Sequence, residues 1–295
     1  MHHLNFLILV LVWGSNFILM KRGTDAFHAL EVAFGRVLGG ALVLAAVLAW
    51  RGKAWEWRRL PWRLITFCTL LGYVWPYFIQ PVLVARHGGA FIGLSVAFVP
   101  LLTILVSIPL LRVWPTPQQV VGVLGALACI AGLMWDGLDR NVPPLDLLAA
   151  FSVPTAYAIV NTLVRKSMNN VPSLQLSVAI LGIGTLALAP AALWCPSPAD
   201  ATAEEVRLAW MSVFVLGVLG TGWGTLVFNG LIQAKGPLFA GMATYLVPLI
   251  ALAWGWYDRE SVTPTQVACL FGVLVMVAIA QFGSGVPLRR DPNRK

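Results

Sequence analysis

Gly88-Gly89-Ala90-Phe91-Ile92-Gly93 and Gly236-Pro237-Leu238-Phe239-Ala240-Gly241 share glycine, phenylalanine and glycine in register, 148 residues apart. At the same spacing Val99-Pro100-Leu101 falls on Val247-Pro248-Leu249, and upstream Gly72 and Trp75 fall on Gly220 and Trp223. Further on the spacing slips to 147, where Pro117, Gln119, Val120 and Gly125 meet Pro264, Gln266, Val267 and Gly272. The matches run along apolar stretches, so the second half of the chain is a diverged copy of the first. The division predicts a first unit over residues 1–143 and a second over 144–295, joined at Pro143-Pro144.

Composition says what those units are made of. The 295 residues are 59% hydrophobic and 11% charged, with a mean hydropathy of +0.81. A soluble domain carries about 25% charge, so an ordinary soluble globular fold is excluded. Apolar runs of about 20 residues match the hydrocarbon thickness of a bilayer. Backbone polar groups must then be satisfied within each run, which requires helices; the period-two alternation of a membrane barrel is absent. Ten spans are expected, near 4–21, 30–50, 63–85, 88–111, 117–136, 145–165, 173–194, 207–233, 237–257 and 264–283. The fold class is therefore an all-α integral membrane protein.

Five spans per half is an odd number. The second half must enter the bilayer from the opposite side, giving two inverted five-helix repeats. Thirteen of the 20 Lys and Arg fall on the side of the N-terminus, including Arg51, Lys53, Arg58, Arg59, Arg63, Arg112, Arg165, Lys166 and Lys235 and a basic tail at Arg289, Arg290, Arg294 and Lys295. Six fall opposite, and Arg36 lies within span two. Positive-inside bias then places both termini in the cytoplasm of a multi-pass protein of the inner (plasma) membrane.

The net charge of +8 sits in short clusters beside apolar runs and not on an arginine-rich face interleaved with aromatics, so the bilayer, not nucleic acid, is the expected partner. His2-His3 offers no Lys/Arg n-region, and no small-residue cleavage site follows, so the first run reads as a span rather than a removable signal. Cys68, Cys129, Cys195 and Cys269 have no metal-like spacing and read as small apolar residues. Neither a metal nor another cofactor is expected. Enzymes are disfavoured: the chain lacks His-Glu-x-x-His and Gly-x-Ser-x-Gly, and no two aspartates share a water within spans. A channel is disfavoured by the lack of a filter-like loop or charged ring. Inverted duplication favours a carrier, because two related bundles can rock about a site between them. A membrane scaffold or sensor is the rival reading, and it tolerates Asn16→Leu.

Trp13-Gly14-Ser15-Asn16-Phe17 in span one, Phe34-Gly35-Arg36 in span two and the repeated Val-Pro-Leu of spans four and nine resemble the drug/metabolite transporter superfamily, nearest to its ten-helix EamA-type exporters. The resemblance covers essentially the whole chain. It implies an inner-membrane carrier exporting small metabolites, often amino acids; one branch exports aromatic amino acids, and this chain is compatible with it. Efflux of drugs, nucleosides or cationic compounds is the alternative within the same resemblance.

Candidate site residues come from polar and aromatic groups at mid-span. Trp13 and Asn16 share a helical face, and a buried amide needs a partner, either a substrate or a neighbouring helix. Asn161 and Asn229 pose the same choice. Trp75, Tyr77, Gln80, Tyr157, Trp223 and Tyr245 lie away from the interfacial belts that these aromatics prefer, so each either lines a cavity or packs in the core. Trp55, Trp57, Trp62, Trp114, Trp194, Trp210, Trp254 and Trp256 lie near span ends and read as interfacial anchors. Pro100 and Pro248 are expected to kink their helices, as static bends or as gates. Gly88, Gly93, Gly236 and Gly241 precede those bends as close-packing positions or hinges.

His28, Glu31 and Arg36 form an ionisable cluster at the mouth of span two, with Arg36 about 9 Å inside at 1.5 Å per residue and able to reach outward. They are candidates for proton linkage or for simple charge pairing. The absence of an acid deep in any span favours facilitated diffusion or exchange. A cavity of Trp, Tyr, Asn and Gln suits a zwitterion or neutral amphiphile, and aromatic or branched amino acids are the expected substrates. Gly35-x-x-x-Gly39 packs either within the bundle or between copies, which leaves the oligomeric state open.

Overall fold

The computed structural model describes residues 2–51, 60–112, 114–195 and 200–282. Trp55, Trp57, Lys53, Arg58, Arg59, the basic tail at Arg289, Arg290, Arg294 and Lys295, and loop residues 196–199 lie outside the described residues. The described chain is helical, without a strand. Ten helices follow one another: α1 (His2–Thr24), α2 (Ala29–Trp50), α3 (Trp62–His87), α4 (Gly89–Leu111), α5 (Pro117–Asp139), α6 (Pro144–Ser167), α7 (Ser173–Trp194), α8 (Ala203–Lys235), α9 (Phe239–Tyr257) and α10 (Pro264–Phe282). Nine are long and apolar enough to cross a bilayer, and α10 contributes a shorter apolar stretch, Pro264–Ala280.

Polar residues punctuate these helices. Three begin with reciprocal capping boxes, His28 with Glu31, Thr116 with Gln119, and Thr202 with Glu205. Each box satisfies backbone donors that a helix start leaves open. Glycine stops α3 and α8, since Gly88 (φ +87°) and Gly236 (φ +93°) adopt a conformation that side chains resist.

Helix pairing follows the duplication. Repeat mates pack on each other as α2 with α7, α4 with α9 and α5 with α10, while α1 on α9 is mirrored by α6 on α4, and α2 on α8 by α7 on α3. This is the contact pattern of two inverted five-helix repeats about an axis between the halves. Small residues permit the approach, because helix association in lipid rests on close packing and not on water exclusion. A Cβ on Gly125 would lie 2.1 Å from Met276 Sδ, and one on Gly272 2.8 Å from Cys129 Sγ. Gly39 faces the backbone of Gly217, and a Cβ on Gly35 would touch Val213, so the Gly35-x-x-x-Gly39 stretch packs inside the bundle.

The backbone departs from regular α-helix at equivalent places in the two halves. Leu70–Val74 of α3 and Leu216–Trp223 of α8 are π-helical, and at the 148-residue spacing these stretches overlap. A π-turn widens the helix and loosens its bonding ladder, often where function needs a carbonyl or a side chain re-aimed. In α4 a 3₁₀ turn at Val96–Phe98 stands one residue short of Pro100. It starts at the residue four before the proline, whose carbonyl the ring displaces. The second proline behaves differently: the helix runs through Pro248 from Ala243 to Tyr257, and the interruption is earlier, at Met242. The two Val-Pro-Leu motifs therefore do not make the same bend.

Candidate functional site: a central cavity between the halves

A cavity lies between the repeats, with about 70 Å³ open to the centres of water-sized molecules, several times the ~10–15 Å³ that one water requires. From the first half α1, α2, α3 and α4 line it; from the second, α6, α8 and α9. Its α1 wall is one helical face, Trp13, Asn16, Phe17 and Met20 at i, i+3, i+4 and i+7. Tyr73, Tyr77 and Gln80 of α3, with Tyr157 and Asn161 of α6, form the polar side. Val96, Val99, Val160, Phe228 and Val247 supply the apolar remainder.

The π-helical stretch of α8 organises one wall. Trp13 Nε1 donates to the carbonyl of Gly220 at 3.0 Å, and the indole packs at a tilt of 53° on Phe228 with ring centres 4.7 Å apart. Gly220 must lack a side chain, since a Cβ there would lie 2.4 Å from Asn16 Oδ1. Thr221, the next residue, accepts from Arg36 Nε at 3.1 Å. Across the cavity the Tyr157 hydroxyl donates to Gln80 Oε1 at 3.4 Å.

Arg36 is the one charged residue among those lining the cavity, and it is 2% exposed. Its guanidinium carbon sits 4.1 Å from the centre of the Tyr77 ring, and Nη1 reaches Met20 Sδ at 3.4 Å. A cation over an aromatic face is attracted by about 0.5–2 kcal/mol, well short of what a buried charge loses on leaving water. Asn16 is in a related position. It is 8% exposed, and its Oδ1 has no hydrogen-bond partner among the described residues. Such an orphan costs about 1–3 kcal/mol, which native structures seldom accept without a use for it.

Several expectations change. Arg36 does not reach outward to the membrane surface, because α2 turns it into the bundle against α8. His28 and Glu31 belong to a separate place: Glu31 Oε2 accepts from the His28 backbone at 2.8 Å, and His28 Nδ1 from Leu30 N–H at 3.3 Å, in the α2 cap. The three residues therefore form no single cluster.

Of the other candidates, Trp13, Asn16, Tyr77, Gln80, Tyr157 and Asn161 line the cavity. Trp75, Trp223, Asn229 and Tyr245 do not. Trp75 Nε1 donates to Ser152 Oγ at 2.8 Å, tying α3 to α6. Asn229 bridges α7 and α3, donating to Ser177 Oγ at 3.1 Å and accepting from Tyr73 at 3.4 Å. Trp223 is packed against the buried core and Tyr245 lies within it. Trp254, expected near a span end, donates to Ser15 Oγ at 2.9 Å. Phe17, Met20, Tyr73, Thr225, Phe228 and Thr244 line the cavity without having been singled out. Tyr73 was findable, standing one turn before Tyr77 on the same face.

The glycines divide too. A Cβ on Gly93 would lie 2.6 Å from Ala251 Cβ, and one on Gly241 3.2 Å from Pro100, so both mark close packing of α4 against the other half. Gly88 and Gly236 are turn formers.

Comparison with known proteins gives three findings. Residues 2–135 and 145–282 each match the EamA-like transporter family. "Uncharacterized transporter YvbV" of Bacillus subtilis (strain 168) is 25% identical over 273 residues, covering 91% of this chain and 87% of its own. A protein of known crystal structure superposes with a TM-score of 0.69 at 20% identity, covering 96% of this chain and 98% of its own, a likeness of fold.

Proposed function

We infer the activity from one premise: the chain belongs to the EamA-like transporter family. The protein is a secondary carrier that exports small amphipathic metabolites, amino acids with aromatic or branched side chains, across a bacterial-type inner membrane. It works by alternating access, the two repeats exchanging tilts about the central cavity. The observation that carries this reading is a cavity lined by seven helices drawn from both halves, with polar groups (Asn16, Arg36, Gln80, Tyr157, Asn161) beside an apolar wall (Val96, Val99, Phe228, Val247). An amphiphile needs both surfaces. The orientation rests on the positive-inside distribution of Lys and Arg. The lone charge in the lining is a cation, Arg36, which speaks against cationic drugs as cargo.

Counterflow in proteoliposomes tests the reading. Vesicles preloaded with unlabelled phenylalanine or leucine should accumulate labelled amino acid faster than empty ones, and analogues should compete. Nucleosides and cationic compounds run in parallel, with and without a pH gradient, decide cargo and coupling together. Equal rates in loaded and empty vesicles for every solute would remove the carrier reading and leave the scaffold one.

A further inference from the structure

We propose that the cavity takes the zwitterionic head of an α-amino acid, its carboxylate on Arg36 and its ammonium donating to Asn16 Oδ1. The proposal rests on the cavity being the cargo site and adds which chemical groups it reads.

Two incomplete groups belong to residues that line the same cavity, Arg36 and Asn16. The Arg36 guanidinium is buried, and the groups it touches are a hydroxyl, a thioether and a phenol ring. None carries the negative charge that an arginine inside a membrane bundle ordinarily finds. Nε is occupied by Thr221, and Nη1 meets only a thioether, a weak acceptor. The rest of the planar fork matches a carboxylate, which takes two parallel N–H bonds. The second group is Asn16 Oδ1, an acceptor with no donor. It asks for an N–H or O–H, and an ammonium has three donors to offer.

Spacing supports one ligand for both. Asn16 and Met20 are one turn apart on α1, about 6 Å along the axis, and Met20 Sδ touches Arg36. Two hydrogen bonds of about 2.8 Å and the short N–Cα–C link of an α-amino acid bridge such a gap. The apolar wall of Trp13, Val96, Val99, Phe228 and Val247 then receives the side chain. A simple dianion is a poor fit, because one arginine is the whole of the positive lining.

The test uses the full chain in detergent, read by ligand-induced thermal stabilisation, which tracks occupancy of the folded state. The probes are leucine, isopentylamine (leucine's amine without the carboxylate), 4-methylpentanoate (the acid without the amine) and inorganic phosphate. Leucine should protect best, and loss of either group should raise the half-saturating concentration at least about tenfold, because a buried group is then left unpaired. Arg36→Gln should make leucine and isopentylamine equivalent, with Arg36→Lys keeping part of the preference. Asn16→Leu should remove the advantage of leucine over 4-methylpentanoate. The analogue series on the unsubstituted protein decides the matter even if a variant misfolds. Isopentylamine or phosphate protecting as well as leucine overturns the proposal, as does unchanged leucine binding in a folded Arg36→Gln protein. Counterflow is read separately: carboxylate-dependent protection without flux upholds the docking and removes the carrier, whereas flux of amines alone does the reverse.

Discussion

Gly88 and Gly236 close the same turn in the two repeats, one between α3 and α4, the other between α8 and α9. Each donates its N–H to the carbonyl four residues back at 2.9 Å, and each holds φ near +90°. What surrounds them differs. At Gly88 the Glu260 carboxylate accepts from Gly89 N–H at 3.0 Å and from Ala90 N–H at 2.9 Å. Lys21 pairs with that carboxylate at 2.9 Å and with Asp258 at 2.5 Å, and Arg22 also pairs with Asp258. The start of α4, the end of α9 and α1 are thus tied by charge-assisted bonds at a helix N-terminus, where an anion is best placed. At Gly236 an added Cβ would meet nothing within 4 Å. Beside it is a groove lined by Leu111, Trp114, Arg165 and Lys235.

The sequence explains why the copies diverged. Helix α4 starts with Gly89, whose free N–H needs an acceptor; Pro237 stands at the equivalent place and has no N–H to satisfy. At the 147-residue spacing Glu260 and Asp258 correspond to Val113 and Leu111, so the acids have no counterparts. One duplicated backbone therefore carries a chemical clamp at one end only. In the carrier proposed above, that clamp favours the packing seen here over its mirror image.

The sharpest way to break this contrast is Gly88→Ala. The backbone strain costs about 1–2 kcal/mol, and the new Cβ would lie 2.8 Å from Glu260 Oε2, pushing the carboxylate off its two donors. A loss of about 3–4 kcal/mol is expected, seen as a lower melting midpoint in detergent. Next is Glu260→Gln, which keeps the shape but sets an amide NH₂ where an acceptor is needed and strips Lys21 of a partner. About 2–3 kcal/mol should be lost, together with part of the salt dependence of the midpoint. Gly236→Ala sharpens the contrast from the other side, carrying backbone strain without a clash and costing about 1–2 kcal/mol. A Gly236→Ala loss equal to that of Gly88→Ala would mean the turn alone, and not the clamp, sets the stability of both ends.

How far these features were legible depends on their range. Ten apolar runs and the half-length repeat fix the helices and their inverted order, because hydropathy and chain length act locally. The α1 face of the cavity was legible for the same reason, Trp13 and Asn16 being one turn apart. Arg36 was misjudged because depth along a helix says nothing about azimuth, which the packing of Gly39 on Gly217 decides. Asn229 and Trp75 had two readings open, and only tertiary contact separates a strut from a lining residue. The clamp was illegible: Lys21 and Glu260 are 239 residues apart. The π-helical stretches left a trace only in Gly72 and Gly220, one of which makes room for Val160 and the other for Asn16.

The smallest expected effect lies in the lysines. Lys21 and Lys235 both stand in the last turn of a helix, where a cation gains about 0.3–1 kcal/mol from the helix dipole. If that were all either did, Lys21→Met and Lys235→Met would cost the same. Lys21 also bridges two carboxylates that are themselves largely buried, so its removal takes a cation from both, leaving Asp258 with Arg22 and Glu260 with the Gly89 and Ala90 N–H groups. Lys235 is exposed at the rim of the groove, and its loss should cost no more than that dipole contribution, about 0.3–1 kcal/mol. Thermal unfolding of the two variants at low and at high salt measures the difference directly. The gap should be widest at low ionic strength and shrink as salt screens the clamp, whereas a gap independent of salt would assign it to the packing of the Lys21 stem.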